Sequence, residues 1–112
     1  MNFYFVFKMC QVVEFVELID HPKYEILNVY PFIIRKKSNH HMVKEWIDCG
    51  SICVKLNDGD KRRNLRVYRL IAKQFIPNPD DLPEVIHINH DRKDNHLENL
   101  CWSSTSDREQ KT

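Results

Sequence analysis

The feature that most constrains the fold is a change in the spacing of apolar residues near position 67. Up to about residue 60 the chain carries four short apolar runs rich in Val, Ile, Phe and Tyr, namely FYFVF, VVEFVELI, YEILNVYPFIIR and SICVKL. Runs of this length and composition favour β-strands. Beyond them, Val67, Leu70, Ile71 and Phe75 recur at the spacing of one helix face. We therefore expect an α+β fold, in which a small antiparallel β-sheet precedes a short helix.

Turn and helix-breaking residues bound these elements. The cluster 57–60, Asn-Asp-Gly-Asp, separates SICVKL from NLRVYR and is a hairpin signal. Pro77 and Pro79 follow the helical stretch, and proline cannot donate to the helical hydrogen-bond ladder. The helix that begins near Val67 should therefore end before Pro77.

The length of 112 residues, of which 42% are hydrophobic, fits one domain with a single core. We divide it into a β-rich part, residues 1–60, and a second part, residues 67–102. The N-terminal run MNFYFVFKMC has no basic leader, and Lys8 interrupts it well short of a spanning length. We therefore expect an intracellular protein with no signal peptide, no transmembrane segment and no membrane partner.

The four cysteines, Cys10, Cys49, Cys53 and Cys101, are expected to be thiols, because intracellular proteins rarely keep disulfides. Cys49 and Cys53 are close enough in sequence to hold zinc with Cys101 and a histidine. However, no second closely spaced pair completes the usual zinc pattern, so a structural zinc site is not favoured.

Positive charge is concentrated in the segment KRRNLRVYR, which contains no acid, although the formal net charge of the chain is only +1. Its basic residues are Lys61, Arg62, Arg63, Arg66 and Arg69. Two interpretations are open at this point. The segment could contact the phosphates of a nucleic acid, or it could be the solvated charge of the turn that it follows.

The most informative segment is residues 84–102, EVIHINHDRKDNHLENLCW, which indicates a strand ending near His87, then a polar loop and a short helix. Asn95 and Asn99 are four residues apart, and they would share one face if both were helical. A strand-end histidine and a helix asparagine could then converge on one point. Singly, each of the three residues is compatible with an ordinary structural role.

Together, however, these residues resemble the HNH homing-endonuclease family, whose members carry roughly the pattern VDHINGDKxDNxxENLxW. The matching positions are Val85, His87, Ile88, Asn89, Asp91, Asp94, Asn95, Glu98, Asn99, Leu100 and Trp102. Upstream, VYRLIAKQFIPNPDDLPEV is similar to the helix and proline-bearing connection of the family, with Tyr68 where many members have histidine. YEILNVYPFIIR is more weakly similar to the module that precedes HNH domains in intron-encoded nucleases.

The resemblance implies a ββα-metal fold that acts on DNA, with catalytic roles for His87 and Asn99. His87 would be the general base that accepts a proton from the attacking water, a task that imidazole performs near neutral pH. Asn99 would hold the strand-to-helix loop and help to orient His87, whereas Asn95 would be a structural loop residue. We add Arg92, Lys93 and Arg108 to the five cations of residues 61–69 as candidate DNA contacts.

Two positions depart from the family pattern, because its members hold one divalent ion with the residue before the histidine and with a residue after the tryptophan. Here these positions are Ile86 and, by counting, Arg108. Neither a hydrocarbon nor a cation can bind a metal ion. Asp107 or His90 could compensate, and Mg²⁺ needs few protein ligands. A divalent metal, Mg²⁺ or Mn²⁺, is therefore expected only if the chain is active.

The sequence thus predicts an HNH-nuclease-like DNA-binding domain whose catalysis is impaired by Ile86 and Arg108. The alternative is an active, metal-dependent DNA endonuclease that hydrolyses phosphodiester bonds. A third hypothesis is a β-rich interaction domain with no nucleic-acid role, which fits the near-neutral net charge. A domain of this size reads few base pairs alone, which favours a homodimer or an additional domain.

Overall fold

The computed structural model describes residues 12–58 and 61–104 of the protein. In order along this part of the chain, the elements are β1 (Phe15–Leu18), β2 (His21–Leu27), β3 (Ile34–Lys36), β4 (Glu45–Asp48), β5 (Ser51–Asp58), β6 (Lys61–Arg66), α1 (Val67–Phe75), β7 (Glu84–His87), a 3-10 turn (Leu97–Asn99) and β8 (Leu100–Ser103). The predicted run FYFVF lies outside the described residues.

The strands form three antiparallel sheets, ordered β1-β2-β3, β4-β5-β6 and β7-β8. The predicted α+β class is confirmed, but the first half contains two three-stranded sheets where we expected one. Alternation of burial explains how each sheet packs. In β5, Val54 and Leu56 are fully buried, whereas Lys55 and Asn57 between and after them are exposed. β5 and β6 pair antiparallel, as the predicted hairpin requires.

Helix α1 begins at Val67, as the apolar spacing predicted, and ends at Phe75, two residues before Pro77. Its buried face carries Val67, Leu70, Ile71 and Ala72. The helix packs on β5 and β6 on one side and on the β7–β8 hairpin and the 3-10 turn on the other. It therefore sets the position of the hairpin relative to the second sheet.

One core contains or is packed by side chains of every named element except β4. Its largest fully buried side chains are Leu18, Ile26, Ile34, Val54, Leu56 and Ile71. The β7–β8 hairpin adds Val85 and Leu100, which are 6% and 5% exposed. Two polar contacts fix the connection after α1: Trp102 Nε1, on β8, donates to the carbonyl of Ile76 at 3.1 Å, and Arg69 Nη2, on α1, donates to the carbonyl of Pro83, directly before β7, at 2.8 Å.

Among the residues that the structure describes, no helix has the length and apolar character needed to cross a membrane. Cys49, Cys53 and Cys101 are free thiols, and Cys10 lies outside the described residues.

Candidate active site and nucleic-acid interface

His87 is the last residue of β7, at the strand end that the sequence predicted. Val85 and His87 are buried, whereas Glu84 and Ile86 are half-buried. The β7–β8 register runs without a shift, with Ile86 opposite Cys101 and His87 opposite Leu100. Successive side chains of a regular strand point to opposite faces. The side chain at position 86 therefore lies on the opposite face of the hairpin from His87.

The imidazole of His87, in a residue only 5% exposed, is held by two neighbours. Its Nε2 lies 2.9 Å from Oδ1 of Asn95, which is 4% exposed. The ring of Tyr68 meets the imidazole edge-on, with 4.7 Å between centroids and 74° between planes. An amide oxygen only accepts hydrogen bonds, so this contact is a hydrogen bond when the imidazole carries its proton on Nε2 and its lone pair on Nδ1.

The contact with His87 leaves the other polar atom of the Asn95 side chain unsatisfied. Its Nδ2 is buried and has no hydrogen-bond partner among the described residues. An unsatisfied buried donor typically costs about 1–3 kcal/mol. The sequence indicated a structural loop role for Asn95 and did not predict its contact with His87.

Asn99 connects the two ends of the loop between β7 and β8. Its Oδ1 accepts the N–H of Asn89 at 3.0 Å, and its Nδ2 donates to Oδ1 of Asn89 at 3.0 Å and to the carbonyl of Asp94 at 2.8 Å. Its own carbonyl accepts the N–H of Ile88 at 2.8 Å. These four bonds are what a loop-holding residue needs, although the predicted part of Asn99 in catalysis stays a prediction.

The helix predicted between the polar loop and Trp102 is wrong. Only a 3-10 turn at Leu97–Asn99 forms, and β8 begins directly after it. The physical reason lies at the start of the predicted helix: Oδ1 of Asp94 accepts the backbone N–H of His96, two residues further on, at 3.4 Å, and the carbonyl of Asp94 accepts from Asn99 Nδ2 at 2.8 Å. Such side-chain bonds compete with helical ones. His87, Asn95 and Asn99 still gather in one place, but through a folded loop instead of a shared helix face.

A second contact ties the loop to the first sheet. His96 stacks on Tyr30, from the β2–β3 connection, with 3.8 Å between ring centroids and 10° between planes. Nδ1 of His96 lies 2.6 Å from Oδ1 of Asp94, whose Oδ2 accepts from Asn89 Nδ2 at 2.9 Å. The bonds from His96 and then from Asn89 hold the pKa of Asp94 below its usual range. The sequence did not single out this pair of rings, because nothing in local spacing connects residues so far apart.

The described residues do not fit a divalent ion beside His87. Among them, no three His, Cys, Asp or Glu side chains are grouped so that they could hold a metal ion. Ile86 has no donor atom and faces away from His87. Asp107 and Arg108 lie outside the described residues, so their predicted roles stay predictions. His90, the other candidate ligand, is exposed in the turn after β7.

The predicted basic segment divides into two groups. Lys61, Arg62 and Arg63 are exposed on β6. Arg62 also lines an open groove of about 380 Å³ with Lys44, Trp46, Lys55 and Val43. This groove crosses the solvent-facing side of the second sheet, where Arg62 stands opposite Asn57 in the strand register.

Arg66, Arg69 and Arg92 form hydrogen bonds within the chain. Arg66 Nη1 donates to the carbonyl of Asp48 at 2.9 Å and to Sγ of Cys53 at 3.2 Å. Arg69 bonds Pro83, as noted above, and lies 3.4 Å from a carboxylate oxygen of Glu84. Arg92 Nη1 donates to the carbonyl of Cys49 at 3.3 Å. Lys93 is exposed in the loop after β7. DNA contacts by all of these residues stay predictions.

Comparison with known proteins supports the family resemblance. Residues 65–110 match the family model described as HNH endonuclease. Two uncharacterized HNH endonucleases of Acanthamoeba polyphaga mimivirus are similar. The one designated L247 is 33% identical over 93 residues, 80% of this chain, and L245 is 26% identical over 70 residues, 62% of this chain. The chain spans only about a fifth of the length of either relative, 22% and 21%.

The fold also resembles a solved structure of DNA binding and cleavage by the HNH homing endonuclease I-HmuI. The TM-score is 0.66 at 22% sequence identity, and the match covers 81% of this chain and 52% of the other. At this identity the likeness concerns the fold. Taken with the His87 loop and the family match over residues 65–110, it identifies the C-terminal part of this chain as an HNH endonuclease-like domain.

Proposed function

We propose that this chain is an HNH-type DNA-binding domain whose phosphodiester cleavage is impaired. One observation carries the proposal: the histidine expected to act as the base is present, whereas the position before it lacks the metal ligand that the family has there. Nε2 of His87 is held by Asn95, while the neighbouring position is occupied by the hydrocarbon of Ile86 on the opposite strand face. DNA is the proposed partner because the family acts on it and the structural neighbour is described as binding and cleaving it.

The second sheet supplies the proposed DNA contacts. Lys61, Arg62 and Arg63 lie together on β6, and Arg62 shares its groove with Lys55 and the half-buried ring of Trp46. Cations that neutralise phosphates contribute most of the sequence-independent affinity for DNA. A solvent-facing sheet surface with several cations and an aromatic ring suits the backbone of a nucleic acid better than a basic or apolar partner.

His87 would perform the chemical step if any cleavage survives. Nδ1 would accept a proton from the attacking water, while Asn95 holds the opposite side of the ring and Asn99 holds the loop. We assign no step to a metal ion, because the described residues do not fit one. In the impaired form, Arg108 at the family's ligand position could bind the scissile phosphate, so that the site binds DNA without cleaving it.

An active, Mg²⁺- or Mn²⁺-dependent endonuclease is the second candidate. The retained geometry of His87 favours it, because a buried imidazole with one nitrogen tied and the other basic is what general-base catalysis requires. Both candidates predict DNA binding, and they are distinguished by cleavage.

Incubation of the chain with supercoiled plasmid in Mg²⁺, in Mn²⁺ or in chelator separates the possibilities. A gel shift without nicking supports the impaired domain, and metal-dependent nicking supports the active enzyme. If neither is seen, the β-rich interaction domain is favoured. Where nicking occurs, His87→Ala should lower its rate by about 10²–10⁴ at unchanged DNA affinity. His41→Ala, which alters an exposed histidine after β3, is the matched control. Sedimentation of the DNA complex tests the homodimer that the size of the chain favours.

A further inference from the structure

The residue that contacts the imidazole of His87 is Asn95. Oδ1 of Asn95 lies 2.9 Å from Nε2 of His87, and both side chains are buried. The hydrogen bonds of the Asn99 side chain go instead to Asn89 and Asp94, so Asn99 shapes the loop. The task of orienting the imidazole and the task of holding the loop are therefore divided between two asparagines.

We infer that Asn95 is a positioning residue: it fixes His87 in the tautomer protonated at Nε2, so that Nδ1 faces the reaction as the proton acceptor. The inference rests on the proposed role of His87 as the base of an HNH domain. It goes beyond that role, because it assigns the tautomer and names the side chain that selects it. A neutral imidazole in water exchanges between two tautomers, and a single buried acceptor is enough to select one of them.

The aromatic neighbour fixes the remaining freedom of the ring. Tyr68, on the first turn of α1, meets the imidazole edge-on at 4.7 Å between centroids. An edge-to-face contact restricts rotation of the ring, while the bond to Asn95 selects which nitrogen carries the proton. Both contacts are needed to direct one defined nitrogen, Nδ1 of His87, towards the reaction.

The unpaired Nδ2 of Asn95 argues against a role in packing alone. This atom is buried without a hydrogen-bond partner among the described residues. An apolar side chain of similar size, such as leucine, would fill the same space without burying an unsatisfied donor. What leucine could not supply is the acceptor for His87. Among the described residues, the satisfied polar contact of the Asn95 side-chain amide is therefore the one to His87, the proposed base.

Nitrogen-15 NMR of histidine-labelled full-length chain tests the inference directly, at a pH at which the ring is neutral. Protonated and unprotonated ring nitrogens have separate shifts, so the tautomer of His87 can be read from its spectrum. We expect one tautomer with the proton on Nε2. A wild-type ring protonated on Nδ1 would overturn the inference, because the amide of Asn95 would then have to present Nδ2 to the ring.

Three variants complete the test. Asn95→Leu should give a mixture of tautomers, whereas Asn95→Asp keeps an acceptor oxygen and should retain the proton on Nε2. Asn78→Leu is the matched control, because Asn78 exchanges two hydrogen bonds with Leu82 in the loop before β7 and does not touch His87. Its spectrum should equal that of the wild type. An unchanged tautomer in folded Asn95→Leu would show that Asn95 only packs. If Asn95→Leu does not fold, the wild type and Asn95→Asp decide.

Cleavage provides an independent measurement if the chain nicks plasmid. Asn95→Leu should then lower the maximal nicking rate by a factor of about 10² at unchanged DNA affinity, because general-base catalysis supplies about 10²–10⁴. Equal nicking by Asn95→Leu and the wild type would contradict the inference. Failure of the proposed function appears differently, as absent DNA binding in every variant or as metal-dependent nicking by the wild type, and in both cases the NMR result still decides the tautomer.

Discussion

The two halves of the molecule keep their shape by different forces. The six strands before α1 are held by buried aliphatic side chains, among them Leu18, Ile34 and Leu56, which are at most 1% exposed. The loop between β7 and β8 is held by hydrogen bonds among Asn89, Asp94 and Asn99. Apolar packing is spread over many contacts, whereas a polar network depends on each member. The loop should therefore be sensitive to single polar substitutions that the sheets would tolerate.

The largest expected effect is in the apolar half. Ile71, in α1, is fully buried against the sheets, and Ile71→Ala should lower the free energy of unfolding by about 2–5 kcal/mol through lost burial and the cavity left behind. Urea denaturation measures the loss. Ile47→Ala is the matched control, because Ile47 is 55% exposed, and it should change stability by less than about 0.5 kcal/mol. Equal losses of stability in the two variants would mean that burial does not determine how much each side chain contributes to the free energy of unfolding.

The second expected effect tests the polar half. Asn99→Ala removes three side-chain hydrogen bonds and leaves the N–H of Asn89 without its acceptor, so it should cost about 1–3 kcal/mol. Asn64→Ala, on the exposed side of β6, is the control and should be nearly neutral. Denaturation gives the free energies, and hydrogen exchange of the Asn89 amide shows whether the loss is local. If Asn99→Ala left the free energy of unfolding unchanged, the loop would not depend on its hydrogen-bond network, and the contrast with the apolar sheets would be wrong.

The third effect separates exposed cations from those bound within the chain. Arg62→Ala should reduce the slope of log K against log salt for DNA binding by about 0.9 if Arg62 contacts one phosphate. Arg69→Ala is measured beside it, because Arg69 already binds Pro83 and Glu84. We expect a smaller change in slope for Arg69→Ala and a larger loss of stability. Equal slopes for both variants would mean that Arg69 leaves its partners to bind DNA.

The same contrast explains what the sequence could predict. The strands and α1 follow from the spacing of apolar residues, because burial of one face selects that spacing. The division of the first half into two sheets does not follow, because each strand pairs with its neighbour in sequence and the apolar spacing does not show that the pairing is interrupted between β3 and β4.

The site was predicted where it depends on a motif and missed where it depends on loop geometry. Placement of His87 at a strand end, with Asn99 near it, follows from the HNH pattern. The bond from Asn95 to His87 does not, because it exists only in the folded loop, where side-chain bonds of Asp94 and Asn99 take the place of the predicted helix. The stacking of His96 on Tyr30 joins two loops that no sequence period relates.

The smallest expected effect concerns pH and again separates the two regions. Bonds from His96 and Asn89 lower the pKa of Asp94 in the folded loop, so in mild acid the unfolded chain binds more protons than the folded one. The stabilisation is therefore complete above the ordinary carboxyl range, near pH 4, and is lost as pH falls through the lower pKa of the folded state. Asp94→Asn should flatten this dependence, measured as protection of the Asn89 amide. Asp20→Asn is the control, because its hydrogen bond to Lys73 lowers the pKa of Asp20 outside the loop. That variant should flatten the pH dependence of global stability in acid and leave the pH dependence of Asn89 protection unchanged. If the pH dependence of Asn89 protection also changed in Asp20→Asn, the loop would open only together with the whole domain.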